Sequence, residues 1–274
     1  MKKISAHMVV KNEQHWVWFA IQSLINHVDE FLILDTGSSD ATLSIIKTIS
    51  DPKISIDTYS GGLTPAILTD LRQKLLERST GDWILIVDGD EIWTDSGARE
   101  LIDTINFAGD NYDFLVTPCK NLLGDIFHCQ SESAGRYHIG PYRGHLTIRA
   151  VNLNRLPGLH FSNDYPLEGL HDADHVLIQS RHPLKTRLMT HPYLHATFLH
   201  RAGHPRLNPQ TLSRSAKFKY ELGNRLPADF SYPSCFYFPR PRIVPSPWPR
   251  RNLWFTLNAA WQTPFKLIKR RIFN

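Results

Sequence analysis

Four short apolar runs, each closed abruptly by polar residues and separated from the next by a helical spacing, occupy roughly the first ninety residues and restrict this chain to few folds. Ile4 to Val10, Phe31 to Leu34, Ile54 to Asp57 and Trp83 to Val87 have the length and composition of buried strands. Trp16, Phe19, Ala20, Ser23, Leu24 and His27 recur at helical spacing after the first run, and Leu43, Ile46 and Ile49 after the second. After the third, a helix is predicted from Pro65 to about Ser79, with proline in its first turn and Gly81 just past its end. Successive strand-helix units imply a mostly parallel sheet with right-handed crossovers. The carboxyl ends of such strands line one edge, beside the crevice where open α/β sheets bind ligands. Val10, Asp35 and Asp88 reach that edge.

The fourth run delivers Asp88-Gly89-Asp90-Glu91. In an extended segment residues two apart point the same way, so Asp88 and Asp90 are expected to face one cation, with Gly89 admitting a ligand close to the backbone. Hard oxygen ligands suit magnesium or manganese. A short Asp-x-Asp also occurs as an ordinary polar turn, so its surroundings decide. The second run ends in Asp35-Thr36-Gly37-Ser38-Ser39-Asp40, where Asp40 is placed to cap the following helix and Asp35 to contact a ligand in the crevice.

Taken in order, these stretches resemble the family 2 glycosyltransferases of the nucleotide-binding GT-A fold. Val10-Lys11-Asn12-Glu13 resembles the opening motif, Asp35 through Thr42 the second-strand motif, and Gly81-Asp82-Trp83 through Asp88-Gly89-Asp90-Glu91 the metal motif. Arg72-Gln73 is similar to an Arg-Asn pair, with Gln73 in place of the usual asparagine; Gly89 likewise replaces a more frequent alanine. The resemblance implies that Val10 and Asp35 contact the nucleotide base, Glu13 lies near the ribose, and Arg72 approaches the diphosphate. Asp88 would lie near the ribose or metal, and Asp90 would ligate Mn2+ or Mg2+. Further along, Phe161 and Leu167-Glu168 fall where the family carries a Phe and a His-Glu pair, without the histidine, which makes Glu168 the candidate general base. Tyr193 to His200 resembles a late strand ending in a histidine; His200, and with less support His195, would complete the metal or diphosphate site.

The remaining sequence is less periodic, as expected where acceptor loops are set on a rigid sheet. Tyr112 to Thr117 and His145 to Arg149 read as strands, flanking a loop rich in Gly, His and Tyr from about Gly124 to Gly144. His171-Asp172-Ala173-Asp174-His175 is a rival metal cluster by residue type, but no apolar strand leads into it. A polar helix is expected from about Asn208 to Leu222.

With 274 residues and an ordinary apolar fraction of 42%, one substantial core is expected. The organisation predicted is a catalytic domain over residues 1–225 and a Pro-rich, basic appendage over 226–274. Three cysteines, Cys119, Cys129 and Cys235, lack zinc or redox spacing and read as reduced thiols. The N-terminal run is too short and polar for a signal peptide, which suggests a cytoplasmic protein. No acidic residue follows Asp229, yet eight Lys or Arg residues do, among them Lys269, Arg270 and Arg271. Between Leu226 and Pro249 the prolines predict an extended linker. Beyond it, Leu253 to Trp261 and Phe265 to Phe273 combine aromatics with cations around Pro264. That pattern suits the interface of an anionic membrane, or packing back onto the domain with the cations solvated.

The function read from the sequence is a metal-dependent glycosyltransferase moving a sugar from a nucleotide-sugar donor to an acceptor hydroxyl on a glycan or glycolipid, by inversion as the resemblance implies. One alternative is a sugar nucleotidyltransferase, which predicts a glycine-rich loop where Lys11-Asn12-Glu13-Gln14-His15 stands. The other is a binding module without catalysis on the same fold. Nucleic-acid binding is disfavoured, since no known module accompanies the basic residues.

Overall fold

A computed structural model describes residues 1–199 and 219–273. In chain order its strands are β1 (Ile4–Val10), β2 (Glu30–Asp35), β3 (Ile54–Thr58), β4 (Trp83–Ile86), β5 (Glu91–Trp93), β6 (Phe114–Leu123), β7 (Asp125–Cys129), β8 (Tyr137–Ile139), β9 (Tyr142–Gly144), β10 (Leu146–Asn152), β11 (His160–Ser162), β12 (Gly169–His171), β13 (Thr186–Leu188), β14 (Tyr193–Phe198) and β15 (Asn224–Arg225). The helices are α1 (Val17–Gln22), α2 (Thr42–Ile46), α3 (Pro65–Arg78), α4 (Asp95–Ala108) and α5 (Leu253–Phe273).

The first four strands form the parallel heart of the sheet in the order β3-β2-β1-β4, and β10, β6, β7 and β15 extend it through antiparallel pairs. Because alternate side chains leave opposite faces of a strand, β2 serves two layers. Phe31 and Ile33 pack with Phe19 of α1 and Ile45 of α2, while Leu32 and Leu34 pack with Leu71 and Leu75 of α3. Burial on both faces explains why β1 and β2 read as continuous apolar runs rather than alternating ones. Helix α3 begins as predicted: Thr64 caps it by accepting the Ile67 N–H at 3.2 Å, and Pro65 occupies the first turn.

Other expectations are corrected. The first helix is shorter than its periodicity implied, Val17–Gln22 followed by a 3-10 turn at Ile25–His27. The stretch from Gly124 to Gly144 is not a loop; it contains β7 and the β8-β9 hairpin. Residues 219–222 are not helical, and residues 208–218 lie outside those described. Residues 226–249 carry one 3-10 turn, Ser234–Tyr237, and pack against the domain: Cys235 and Phe236 are buried, and the Phe236 ring meets that of Phe19 edge-on at 5.3 Å. Helix α5 continues through Pro264. Proline removes a bond to the Ala260 carbonyl, but both residues are exposed, so water can serve that carbonyl. All three cysteines are free and buried.

Candidate active site

The first two loops at the carboxyl edge are tied together. Val10 stands beside Asp35 in the β1-β2 register, and its carbonyl accepts the Thr36 N–H at 2.9 Å and hydroxyl at 3.1 Å. Asn12, at φ 55°, accepts the Ser39 N–H through Oδ1 at 2.8 Å and donates its own N–H to Ser38 Oγ at 2.9 Å. Asparagine tolerates that left-handed conformation better than most residues. Glu13 is buried and donates its N–H to Thr42 Oγ1 at 2.7 Å. Asp40 does not occupy the cap position of α2, which falls to Ala41; its carboxylate instead accepts the Thr42 N–H at 2.9 Å and the Gln14 N–H at 3.4 Å, bracing one loop on the other.

Asp35 itself is 3% exposed. One carboxylate oxygen accepts the N–H groups of Gly37 and Ser38 at 3.0 and 2.9 Å, whereas Oδ2 is buried and has no hydrogen-bond partner among the described residues. A carboxylate oxygen left bare in this way is costly unless a ligand donor meets it.

The two aspartates sit on a turn rather than an extended segment, closed by Glu91 N–H to Asp88 C=O at 3.1 Å. A Cβ added to Gly89 would lie 3.0 Å from Val10 Cγ2 and 3.1 Å from Glu13 Cγ, so glycine lets this turn press against the first loop. Asp90 is 2% exposed; its Oδ2 lies 3.4 Å from His195 Nε2 on β14, and its carbonyl accepts the Ala196 N–H at 2.8 Å. Burial disfavours the His195 imidazolium, but the Cys119 side chain and the charge of Glu91 outweigh it and raise the pKa. Asp88 is partly exposed and bracketed by two guanidinium groups, Arg149 at 3.2 Å and Arg72 at 3.9 Å.

Arg149 and Glu91 were not singled out by the sequence. Arg149 falls where the β10-β6 register shifts between Ile148 and Ala150. Such a bulge re-aims a side chain, here toward Asp88, Glu91 and Tyr193 Oη. Burial pushes the Glu91 carboxyl upward, and the Arg149 charge opposes that shift. The available signal was a lone cation inside an otherwise buried strand, where an unpaired charge is not tolerated.

Arg72, Asp88, Arg149 and Glu168 line one cavity of about 540 Å3, together with Phe161 and Tyr165. Glu168 Oε1 lies 3.5 Å from Arg72 Nε. Burial raises the Glu168 pKa, Arg72 works against it, and Asp88 adds to it. Gln73, the departure from the family pattern, accepts the Phe161 N–H at 2.8 Å and so ties α3 to β11. Asp172 of the rival cluster accepts the N–H groups of Val176 and Asp174 and pairs with Arg181, a structural use of its carboxylate. His200 lies outside the described residues.

Among the described residues no three His, Cys, Asp or Glu side chains converge as a metal cluster. Asp88 and Asp90 still suit a magnesium-like ion, which is commonly held by one or two carboxylates, with substrate phosphates and waters supplying the other oxygens.

A parallel β3-β2-β1-β4 sheet with carboxylates and arginines gathered at one edge defines an open-sheet α/β domain, the class whose ligand crevice lies at the carboxyl ends of the strands. The model of glycosyl transferase family 2 matches residues 5–139, 135 of the chain's 274 residues, and identifies that stretch as a domain of this family. A 128-residue stretch is 34% identical to an uncharacterized glycosyltransferase of Rickettsia typhi, covering 45% of this chain and 39% of that protein. Another of 92 residues is 27% identical to the SPbeta prophage-derived glycosyltransferase SunS of Bacillus subtilis, covering 33% and 21%. The match thus spans about two fifths of the Rickettsia relative's length. Among solved structures, Staphylococcus aureus TarS 1-349 in complex with UDP-GlcNAc gives a TM-score of 0.48 at 15% identity, covering 74% of this chain and 60% of that one. Glucosyl-3-phosphoglycerate synthase from Mycobacterium tuberculosis, with Mn2+, UDP and glucosyl-3-phosphoglycerate, gives 0.47 at 17% identity, covering 78% and 76%.

Proposed function

We propose that this chain transfers a sugar from a nucleotide-sugar donor to a hydroxyl of a glycan, glycolipid or similar acceptor, with inversion. The observation that carries the reading is the single cavity in which Asp88, Arg72, Arg149 and Glu168 meet, at the end of a family 2 domain. Asp35, through its open Oδ2, receives a donor of the nucleotide base; Val10 flanks it, and Glu13 faces the ribose. Arg72 meets the diphosphate. Asp88 and Asp90 hold Mn2+ or Mg2+, which when bound supplies Lewis-acid stabilisation of charge on the phosphate oxygens.

Glu168 takes the proton of the acceptor hydroxyl as its oxygen attacks the anomeric carbon. The bond from that carbon to the diphosphate oxygen breaks, and its electron pair leaves with the diphosphate, next to Arg72. Attack from the side opposite the leaving group inverts the anomeric centre. Burial raises the Glu168 pKa from its ordinary value, a shift in the direction that favours proton transfer near neutrality.

The test is release of nucleoside diphosphate from a panel of nucleotide sugars in the presence of manganese. Turnover of at least one donor, reduced about a hundredfold or more in folded Asp90→Asn, is expected. Unchanged turnover in that variant would refute the role of Asp90. Tight donor binding with no turnover of any donor in the presence of candidate acceptors would identify a binding module.

A further inference from the structure

Helix α5 uses one face to dock on the domain. Phe255 and Ala259 are buried, with the Phe255 ring covering Gly124. Thr263 Oγ1 accepts the Leu222 N–H at 2.9 Å, Lys266 Nζ donates to the Tyr220 carbonyl at 2.8 Å, and Arg270 forms a two-pronged pair with Glu221 at 2.6 and 2.7 Å. These positions fall in one sector of the helix at about 100° per residue. Trp254, Leu257, Trp261, Phe265, Ile268 and Ile272 fall in a second sector of about 80°, centred some 160° from the first. All six are exposed, Trp254 by 67%, Trp261 by 73% and Phe265 by 60%. Phe255 apart, the residues that hold the helix to the protein are therefore not those that carry its large apolar side chains.

We propose that this outer stripe lies in the interface of an anionic phospholipid bilayer. A continuous row of exposed aromatic and aliphatic side chains is unusual on a water-facing helix and marks an interaction surface. Charge selects the occupant. Lys269 and Arg271 are exposed and fall on either side of the stripe, and after Asp229 the chain has no acidic side chain. Tryptophan and phenylalanine inserted at headgroup depth, with flanking cations on lipid phosphates, is the arrangement of a helix lying in the membrane plane. Spanning is a different matter: no helix among the described residues is long and apolar enough to cross a membrane.

The experiment is co-sedimentation of the full chain with vesicles of phosphatidylglycerol and phosphatidylcholine, and with phosphatidylcholine alone. Binding to the anionic vesicles is expected, weakened about fivefold for each cation removed in Lys269→Gln and Arg271→Gln, and lost in Trp261→Ser/Phe265→Ser at an unchanged thermal midpoint. No sedimentation with anionic vesicles would overturn the proposal, as would full binding by the Trp261→Ser/Phe265→Ser variant. So would a lipid-free dimer, seen by sedimentation velocity, that the same two substitutions dissociate, because a second copy would then cover the stripe. The two charge variants alter only exposed side chains, so they keep the test decisive if the double apolar variant does not fold.

Discussion

Arg72 Nε and Glu168 Oε1 stand 3.5 Å apart across the cavity, joining helix α3 of the N-terminal half to a loop that follows it far along the chain. This contact makes the candidate base depend on a residue assigned to the diphosphate. Burial raises the Glu168 pKa and Arg72 restrains it. The base must be ionised to work, so kcat should fall as pH drops through the raised value. In Arg72→Gln the restraint is gone, and the acid limb of the kcat profile should move to higher pH. Glu168→Gln should lower kcat about a hundredfold or more; both effects are read from pH-rate profiles.

Arg149→Met should cost about 3–5 kcal/mol of unfolding free energy, measured by urea denaturation. The substitution leaves Glu91, 0% exposed, without its cationic partner in the interior. The double variant Arg149→Met/Glu91→Leu should recover much of that loss, because a buried pair replaced on both sides is far less damaging than one broken on one side.

How much of this was legible beforehand differs by residue. Strands β1, β2 and β4 were readable because each is buried on both faces and so is written as an apolar run, as in Phe31-Leu32-Ile33-Leu34, whereas β3, at the sheet edge and only half-buried, alternates apolar and polar residues. The β8-β9 hairpin was not, since Tyr137 and His138 are exposed and bear no apolar signature. Asp35 could be placed at the sheet edge because a strand end names its own edge. Arg149 was missed because its direction depends on a bulge, and bulges are fixed by pairing with a partner strand rather than by local composition. Pro264 suggested an interruption, and solvent access at Ala260 removed the reason for one.

His7 gives a stability prediction independent of activity. It is buried in β1 beside Ser79, and burial, with a contribution from Arg72, lowers its pKa from 6.5 to about 3. Between those values the unfolded chain carries the proton and the folded one does not, so stability present above pH 6.5 is lost as pH falls, by at most about 1.4 kcal/mol per unit. His7→Gln should flatten this slope in urea titrations run from pH 7 to pH 4.

Asp35→Ala should weaken nucleoside diphosphate binding by about tenfold or more, since a hydrogen bond to a charged group contributes about 1.5–3 kcal/mol. The same change also frees the Gly37 and Ser38 N–H groups. Asp35→Asn keeps an acceptor for those two groups, so loss of affinity in both variants would assign the effect to the open oxygen.

The most direct measurement is isothermal titration of the chain with a panel of nucleoside diphosphates, once with manganese and once with EDTA. At least one nucleotide should bind with manganese and lose about tenfold or more in affinity without it, a difference of about 1.4 kcal/mol. A chain that binds none of them, or binds one equally well in EDTA, would contradict the assignment of Asp88 and Asp90 to a donor-holding ion.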